Sequence, residues 1–125
     1  MGSKFLIDTN IIIYLALNKL PNRGEVKMRN ILRDTPQISV ITKMELLGFS
    51  EVQPPIIKFT ESANVIGLED DVIAKTIDIR KQYKIKLPDA IIAATSIVKD
   101  LTLITRNVSD FSKIIDLNTY NPFEE

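Results

Sequence analysis

The chain contains neither histidine nor cysteine. Without histidine it cannot form a Ser-His-Asp triad or the usual ligand sets of zinc hydrolases. Without cysteine it has no disulfide and no thiolate metal site, which suits a reducing cytoplasm. Any hydrolytic chemistry must therefore depend on carboxylates, hydroxyls, lysines or a hard metal ion bound through oxygen.

The chain also lacks an excess of charge of either sign and lacks long apolar runs. Its 16 basic and 16 acidic residues cancel, so net charge does not indicate a nucleic-acid partner, although charges segregated on one surface could still bind one. No apolar run approaches the roughly 18 residues of a membrane span. The N-terminus lacks the basic stretch, apolar core and cleavage site of a signal peptide. These features predict a cytoplasmic protein with no membrane segment.

What is present is an alternation of short strand-like runs and helix-like stretches. A length of 125 residues predicts one domain, residues 1–125, with a core of its own. The predicted strands are Lys4–Ile7, Gln37–Val40, Asn64–Ile66, Leu101–Thr105 and Ile115–Leu117. The predicted helices are Asn10–Asn18, Gly24–Arg33, Thr42–Phe49, Ile56–Ala63, Glu69–Tyr83 and Pro88–Lys99. This order predicts β-α-β crossovers and a three-layer α/β/α sandwich around a central parallel sheet.

Four acidic residues lie within apolar surroundings: Asp8 in LIDTNIII, Glu45 in ITKMELLGF, Asp89 in KLPDAIIAAT and Asp110 in TRNVSDF. Burying a carboxylate costs several kcal/mol unless a partner compensates it. Each acid has a structural explanation. Asp8 can cap the following helix, and Glu45 can close a capping box that Thr42 begins. Asp89 suits a helix start next to proline, and Asp110 can cap a short helical turn.

Taken together, the four acids also favour a shared site. Asp8, Glu45 and Asp110 follow three predicted strands, whose ends lie along one edge of a parallel sheet, where α/β folds bind ligands. Asp89 opens a buried helix that can point into the same crevice. Like charges about 4 Å apart repel by about 4 kcal/mol at an effective dielectric of about 20, so such carboxylates must be protonated, separated or neutralised by a cation. An all-oxygen site suits Mg²⁺ or Mn²⁺.

Four segments in register resemble one known family. The segments FLIDTNIIIYL, ISVITKMELLGF, LPDAIIAATSI and LITRNVSDF are similar to the motifs of the PIN-domain ribonucleases, above all those of the VapC toxins of toxin–antitoxin pairs. The resemblance extends from Phe5 to Phe111. It implies an endoribonuclease that depends on Mg²⁺ or Mn²⁺ and hydrolyses RNA with a metal-activated water. It also implies a homodimer that a cognate antitoxin protein inhibits.

The resemblance also implies roles for the acids. Asp8, Glu45 and Asp89 match the acids of the first three motifs, and Asp8 and Asp89 would hold the metal directly. The fourth acid of the family stands either at the position of Asn107 or at that of Asp110. We assign the catalytic role to Asp110, with Asn107 as its helper. Glu45 and Asp110 would act on the metal through water.

Further polar residues match supporting positions of the family. Asn10 and Thr105 would support the pocket. Lys43, Arg106 and Lys86 stand close to motif acids in the sequence, so they are candidates for RNA contact. Lys81 and Lys84 cluster with Lys86 before the third motif, where basic side chains could hold phosphates. Compensation of the helix dipole explains Lys81 and Lys84 at least as well.

Three other readings of the acids remain to be weighed. A receiver-like signalling domain would need adjacent acids after the first strand, whereas Asp8 is followed by Thr9 and Asn10. A haloacid-dehalogenase-like phosphatase would need Asp-x-Asp, and Asn10 occupies the second of those positions. A PIN scaffold that binds without cutting is the third alternative, and the presence of all four acids argues against it.

Overall fold

The protein is described here by a computed structural model that covers residues 4–124. The predicted domain boundaries of 1–125 thus include four residues, 1–3 and 125, that lie outside the described part. Five short strands form one sheet in the order β3-β2-β1-β4-β5, and every neighbouring pair is parallel. The strands are β1 (Phe5–Ile7), β2 (Gln37–Ser39), β3 (Asn64–Ile66), β4 (Thr102–Ile104) and β5 (Thr119–Tyr120).

Helices connect the strands in the predicted order. They are α1 (Thr9–Ala16), α2 (Asn22–Ile31), α3 (Val40–Leu47), α4 (Pro54–Ser62), α5 (Asp70–Gln82), α6 (Leu87–Val98) and α7 (Val108–Phe111), followed by a 3₁₀ helix (Pro122–Glu124). Each of the six predicted helices is present, with its ends displaced by at most two residues. Among residues 4–124, no helix has both the length and the apolar character needed to cross a membrane.

The sheet has an apolar core on each face. Because successive side chains of a strand point to opposite faces, Leu6 packs with Leu103 on one face, while Ile7 packs with Ile104 on the other. Helices α5, α6 and α7 cover the first face, and α1, α2 and α4 cover the second. This arrangement confirms the predicted three-layer α/β/α sandwich.

The order of the strands reverses between β1 and β4. The chain runs outward from β1 through β2 to β3, and then crosses back to place β4 on the other side of β1. The two strands stay paired just past their ends, because the Asp8 N–H donates to the Ile104 carbonyl at 2.9 Å. In open α/β sheets, ligands bind in the crevice at such a reversal, beyond the carboxyl ends of the strands.

The strand predicted at Ile115–Leu117 is wrong. Ile115 is 72% exposed, and Asp116 has a φ of 72°, a left-handed conformation that interrupts an extended chain. The last strand instead comes two residues later, where Thr119 and Tyr120 pair with β4. The adjacent apolar residues Ile114 and Ile115 resemble a strand in the sequence, but the left-handed turn at Asp116 follows them directly.

Candidate active site

Asp8 lies at the carboxyl end of β1 and caps α1. Its Oδ1 accepts from the Thr9 N–H at 2.8 Å, which confirms the predicted capping role. Its Oδ2 accepts from the Thr105 hydroxyl at 2.8 Å, and Thr105 is fully buried just after β4. The side chain therefore joins the two strands across the reversal point. It thus caps α1 and connects the ends of β1 and β4.

The surroundings of Asp8 disfavour its ionised form. Burial raises the pKa of its carboxyl above the ordinary value, and the hydrogen bonds from Thr105 and Thr9 only partly oppose this effect. The nearby charges of Asp89 and Glu45 raise the pKa of Asp8 further. Among residues 4–124, no cationic group contributes to the pKa of Asp8, so an ionised Asp8 favours a positive ligand beside it.

Glu45 is held in place by a buried threonine on α1. Its Oε1 accepts from the Thr9 hydroxyl at 2.6 Å, and the hydroxyl oxygens of Thr9 and Thr42 share a hydrogen bond of 3.1 Å. Thr9 and Thr42 are both buried, whereas Glu45 is exposed on α3. The predicted capping box is wrong, because Ser39 caps α3 by accepting from the Ile41 N–H at 3.1 Å.

The sequence reasoning missed Thr9 as a site residue and misread Thr42. Two signals could have found them. Thr9 directly follows Asp8. Thr42 stands three residues before Glu45, and this spacing places Thr42 and Glu45 on one side of the same helix. The spacing that suggests a capping box thus reflects a tertiary contact between α3 and α1.

Asp89 lies in the first turn of α6 and is half-buried. Burial is the largest cause that raises the pKa of its carboxyl, followed by the charges of Glu45 and Asp110. Lys86 acts in the opposite direction. Together with the effects on Asp8, these interactions show that all four predicted acids lie within electrostatic reach of another member of the set.

Asp110 and Asn107 occupy neighbouring positions at the start of α7. The Asn107 side-chain amide donates to Asp110 Oδ2 at 2.9 Å, and the Asn107 N–H donates to the Thr105 hydroxyl oxygen at 3.0 Å. A chain of hydrogen bonds therefore runs from Asp110 through Asn107 and Thr105 to Asp8. The two candidates for the fourth position therefore contact each other directly.

Three predicted residues do not join this cluster. Asn10 is exposed, and its side chain makes no hydrogen bond to any residue in 4–124. Lys43 is exposed on α3, away from the cavity beside the acids. The Arg106 guanidinium donates to the Tyr14 hydroxyl at 3.1 Å and lies 4.1 Å from the centre of the Phe123 ring.

A cavity of about 570 Å³ is lined by two of the four acids, Asp89 and Asp110. We call it the basic groove, and it is lined by Arg80, Lys84, Ile85, Lys86, Asp89, Asn107, Asp110 and Lys113. Lys86 was predicted as an RNA contact and lies here, as does Lys84. Lys81, on the same helix end, does not line the cavity. Arg80 and Lys113 were not predicted, because they come from segments far apart in the sequence.

The donor chemistry of the acids fits a hard divalent cation. Within the part of the chain that the structure describes, no three acidic side chains are arranged as a ready-made metal site. Mg²⁺, however, is commonly held by one or two carboxylates, with waters and substrate phosphates as its other ligands. Asp8 and Asp89, whose charges repel, are oxygen donors of the type that such a site uses.

Comparison with known proteins gives a consistent picture. The PIN domain family matches residues 5–116. The chain is similar to a toxin–antitoxin complex from Klebsiella pneumoniae, with 34% identity, a TM-score of 0.73, and coverage of 94% of this chain and 96% of that one. It is similar to VapBC-1 from nontypeable Haemophilus influenzae, with 29% identity, a TM-score of 0.75 and coverage of 94% and 97%.

A third similar structure is VapBC2 from Rickettsia felis, bound to a DNA fragment from its promoter. It has 25% identity, a TM-score of 0.76, and coverage of 94% of this chain and 97% of that one. The chain matches none of the curated proteins.

Proposed function

The chain belongs to the PIN-domain family, and from this premise we propose that it is a metal-dependent endoribonuclease, the toxin of a toxin–antitoxin pair. The observation that supports the proposal is the electrostatic coupling of the acids near the point where the strand order reverses: Asp89 and Glu45 raise the pKa of Asp8, and Glu45 and Asp110 raise the pKa of Asp89. A site for phosphodiester hydrolysis without histidine or cysteine needs oxygen ligands, and these acids supply them.

The cation implied by the family is Mg²⁺ or Mn²⁺, with Asp8 and Asp89 as its protein ligands. When bound, such a cation lowers the pKa of a bound water and stabilises the charge that develops on a phosphate. The protein's own contribution is orientation. Thr105 and the Thr9 N–H fix both oxygens of Asp8, so its rotamer is set before any ligand arrives.

Glu45 and Asp110 are proposed to act on water rather than on the cation. Thr9 occupies one oxygen of Glu45, which leaves the other oxygen to accept a proton from the attacking water. Asn107 holds Asp110 in the same way. Both acids therefore have one oxygen fixed by the protein and one available to the substrate side, as a positioned general base requires.

The partner proposed for this protein is a small antitoxin protein. The similar structures include toxin–antitoxin complexes from several bacteria. An arginine from such a partner would pair with the carboxylates through charge-assisted hydrogen bonds and so block the site. We further propose that the protein is a cytoplasmic homodimer, which light scattering of the purified chain would test.

The proposed activity is tested by cleavage of a mixed-sequence RNA pool with Mg²⁺, Mn²⁺ or EDTA. We expect cleavage only with a divalent cation, and a loss of at least about a hundredfold in rate for Asp8→Asn. The matched control is Asp100→Asn, which makes the same change at an exposed left-handed position before β4, at the opposite edge of the sheet.

Each outcome has a clear meaning. Cleavage that survives in EDTA, or that Asp8→Asn retains, contradicts the proposal. If the folded wild-type protein binds RNA and Mn²⁺ but cuts nothing across the pool, the result points to a narrow target outside the pool or to a catalytically silent PIN scaffold.

A further inference from the structure

We propose that Arg106 is a positioning residue of the acidic site: its guanidinium, seated on the rings of Tyr14 and Phe123, fixes the loop that supports two of the four acids. This loop, residues 105–107, leads from β4 to α7. The inference rests on the proposed function, because it takes those acids as parts of the nuclease site. It gives Arg106 a role other than the RNA contact expected from the sequence.

The loop supports an acid on each side of Arg106. Thr105, directly before it, is fully buried, and its hydroxyl donates to Asp8 Oδ2 at 2.8 Å. Asn107, directly after it, donates from its side chain to Asp110 Oδ2 at 2.9 Å. The Asn107 N–H donates to the Thr105 hydroxyl oxygen at 3.0 Å, so the two supports are also joined. Because Arg106 lies between them in the chain, a shift of its backbone moves both.

The side chain of Arg106 is held by two aromatic rings, which we call the aromatic seat. Its guanidinium donates to the Tyr14 hydroxyl at 3.1 Å. The guanidinium carbon lies 4.1 Å from the centre of the Phe123 ring and 5.3 Å from that of Tyr14. The two rings contact each other edge to face, with their centres 5.0 Å apart. A planar guanidinium suits this seat, because it can stack on one ring and donate to the other residue at the same time.

The aromatic seat is itself anchored in the fold. Tyr14 belongs to α1, and the Phe123 N–H donates to the Asn121 side-chain oxygen at 2.9 Å. Both rings are half-buried against the core on the second face of the sheet. The backbone adds a further link, since the Thr105 N–H donates to the Tyr120 carbonyl at 3.0 Å. The loop is therefore held to α1 and to the chain end before any ligand binds, which lowers the cost of ordering the site.

The charge of Arg106 does not explain its place beside the site. In the described part of the chain, Lys86 is the cation that lowers the pKa of Asp89, and no cation lowers that of Asp8. Arg106 therefore acts on these acids through geometry, by way of its two neighbours in the chain. Hydrogen-bonded supports of this kind orient the ligands of a metal site and tune its affinity.

The test is amide hydrogen exchange of the metal-free protein by NMR, followed by titration with Mn²⁺. Exchange of the Asn107 N–H is compared with that of Leu103, a buried residue of β4. Phe123→Leu removes the ring beside the guanidinium, and Arg106→Gln removes the guanidinium from an exposed position. The matched control is Phe59→Leu, the same change at another half-buried ring of the same core.

In both seat variants we expect the Asn107 amide to exchange about threefold to fivefold faster relative to Leu103, the effect of losing one exposed cation–π contact. The dissociation constant of Mn²⁺ should rise by a similar factor, because the same hydrogen bonds orient Asp8. Phe59→Leu, on α4, should leave both quantities within about twofold of wild type. Phe123→Tyr keeps the ring and should behave like wild type.

Equal exchange of the Asn107 amide in Phe123→Leu and Phe59→Leu would overturn the inference, because loss of core packing would then explain the change. Faster exchange with unchanged Mn²⁺ affinity would also overturn it, since the loop would then not support the site. If Arg106→Gln weakened RNA binding but left exchange and Mn²⁺ affinity unchanged, the expected RNA contact would replace the positioning role.

The proposed function is judged separately. If the wild-type protein binds no Mn²⁺, the metal-dependent nuclease is rejected, and the exchange rates alone then decide whether Arg106 holds the loop. If the wild-type protein binds Mn²⁺ and cleaves RNA while Arg106→Gln and Phe123→Leu match it in both measurements, only the positioning role is rejected.

Discussion

Thr9 is a buried residue of α1 whose hydroxyl supports Glu45, a catalytic candidate on another helix, α3. It donates to Glu45 at 2.6 Å from the first turn of α1. Replacing it by valine keeps the shape but leaves Glu45 free to rotate. We expect Thr9→Val to lower the turnover rate about tenfold to a hundredfold, with a smaller effect on KM, and Thr9→Ser to retain most of the activity.

The measurement is steady-state cleavage kinetics with a thermal unfolding control. Thr9→Val should cost about 1 kcal/mol of stability, the usual value of one hydrogen bond. A merely structural role would make Thr9→Ser and Thr9→Val equally active in the folded protein. That result would remove Thr9 from the account of the site.

The second prediction at this scale concerns the charge on Asp89. Its pKa is raised in the folded protein, mainly by burial and then by Glu45 and Asp110. The folded protein therefore binds this proton more readily than the unfolded chain does. The stability that results is complete below the ordinary pKa of an aspartate and is lost as the pH rises through the raised value.

Without divalent cations, Asp89→Asn should therefore raise the melting temperature at pH 7, and the gain should disappear near pH 3, as thermal unfolding would show. The favourable position of a charge at the start of α6 reduces the gain but does not reverse it. Asp100→Asn serves as the control. A lower melting temperature for Asp89→Asn at pH 7 would mean that the ionised carboxylate stabilises the fold without metal, which contradicts the prediction.

At the scale of single residues, the sequence identified the four acids as candidates but did not predict which side chains contact them. The acids could be found because each interrupts an apolar segment. The hydrogen bond from Thr9 to Glu45 joins residues 36 positions apart, and its geometry depends on how α1 packs against α3. Local patterns can mark Thr9 and Thr42 as neighbours of acids, but they do not show how the two helices pack.

At the scale of elements, the contact between α2 and the C-terminal 3₁₀ helix allows no extra atom. Gly24 is buried within α2, and a Cβ at this position would overlap the Pro122 carbonyl oxygen. Alanine would improve helix propensity by about 1 kcal/mol, but relief of the overlap costs about 1 to 3 kcal/mol.

We therefore expect Gly24→Ala to destabilise the protein, by up to about 2 kcal/mol in chemical denaturation. Gly67→Ala is the control, because a Cβ there would meet no atom within 4 Å. If Gly24→Ala were as stable as Gly67→Ala or more so, the close approach of Pro122 to Gly24 would be contradicted.

The elements themselves were largely predictable, for a physical reason. Buried parallel strands are short apolar runs, and α5 shows its buried face through Val72, Thr76 and Ile79, so both signals are local. The errors arose where two local signals compete. Ser39 caps α3 although Thr42 offers a better capping motif, and the turn at Asp116 ends an apolar pair that resembles a strand.

At the scale of the whole molecule, topology is what creates the site. The four proposed acids come from separate segments, and the reversal of strand order places the carboxyl ends of β1 and β4, which Asp8 and Thr105 follow, side by side. The basic groove arises in the same way, from the end of α5 and the segment after α7. Neither charge cluster is visible in the composition of a neutral chain.

The central claim is that a divalent cation is held by Asp8 and Asp89 at this reversal point. Anomalous diffraction from crystals soaked in Mn²⁺ tests it most directly. We expect one strong peak about 2.0 to 2.2 Å from carboxylate oxygens of both residues, the bonding distance of other small divalent ions. We expect this peak to be lost in Asp8→Asn crystals. No peak at these carboxylates, or a peak that persists in Asp8→Asn, would contradict the account.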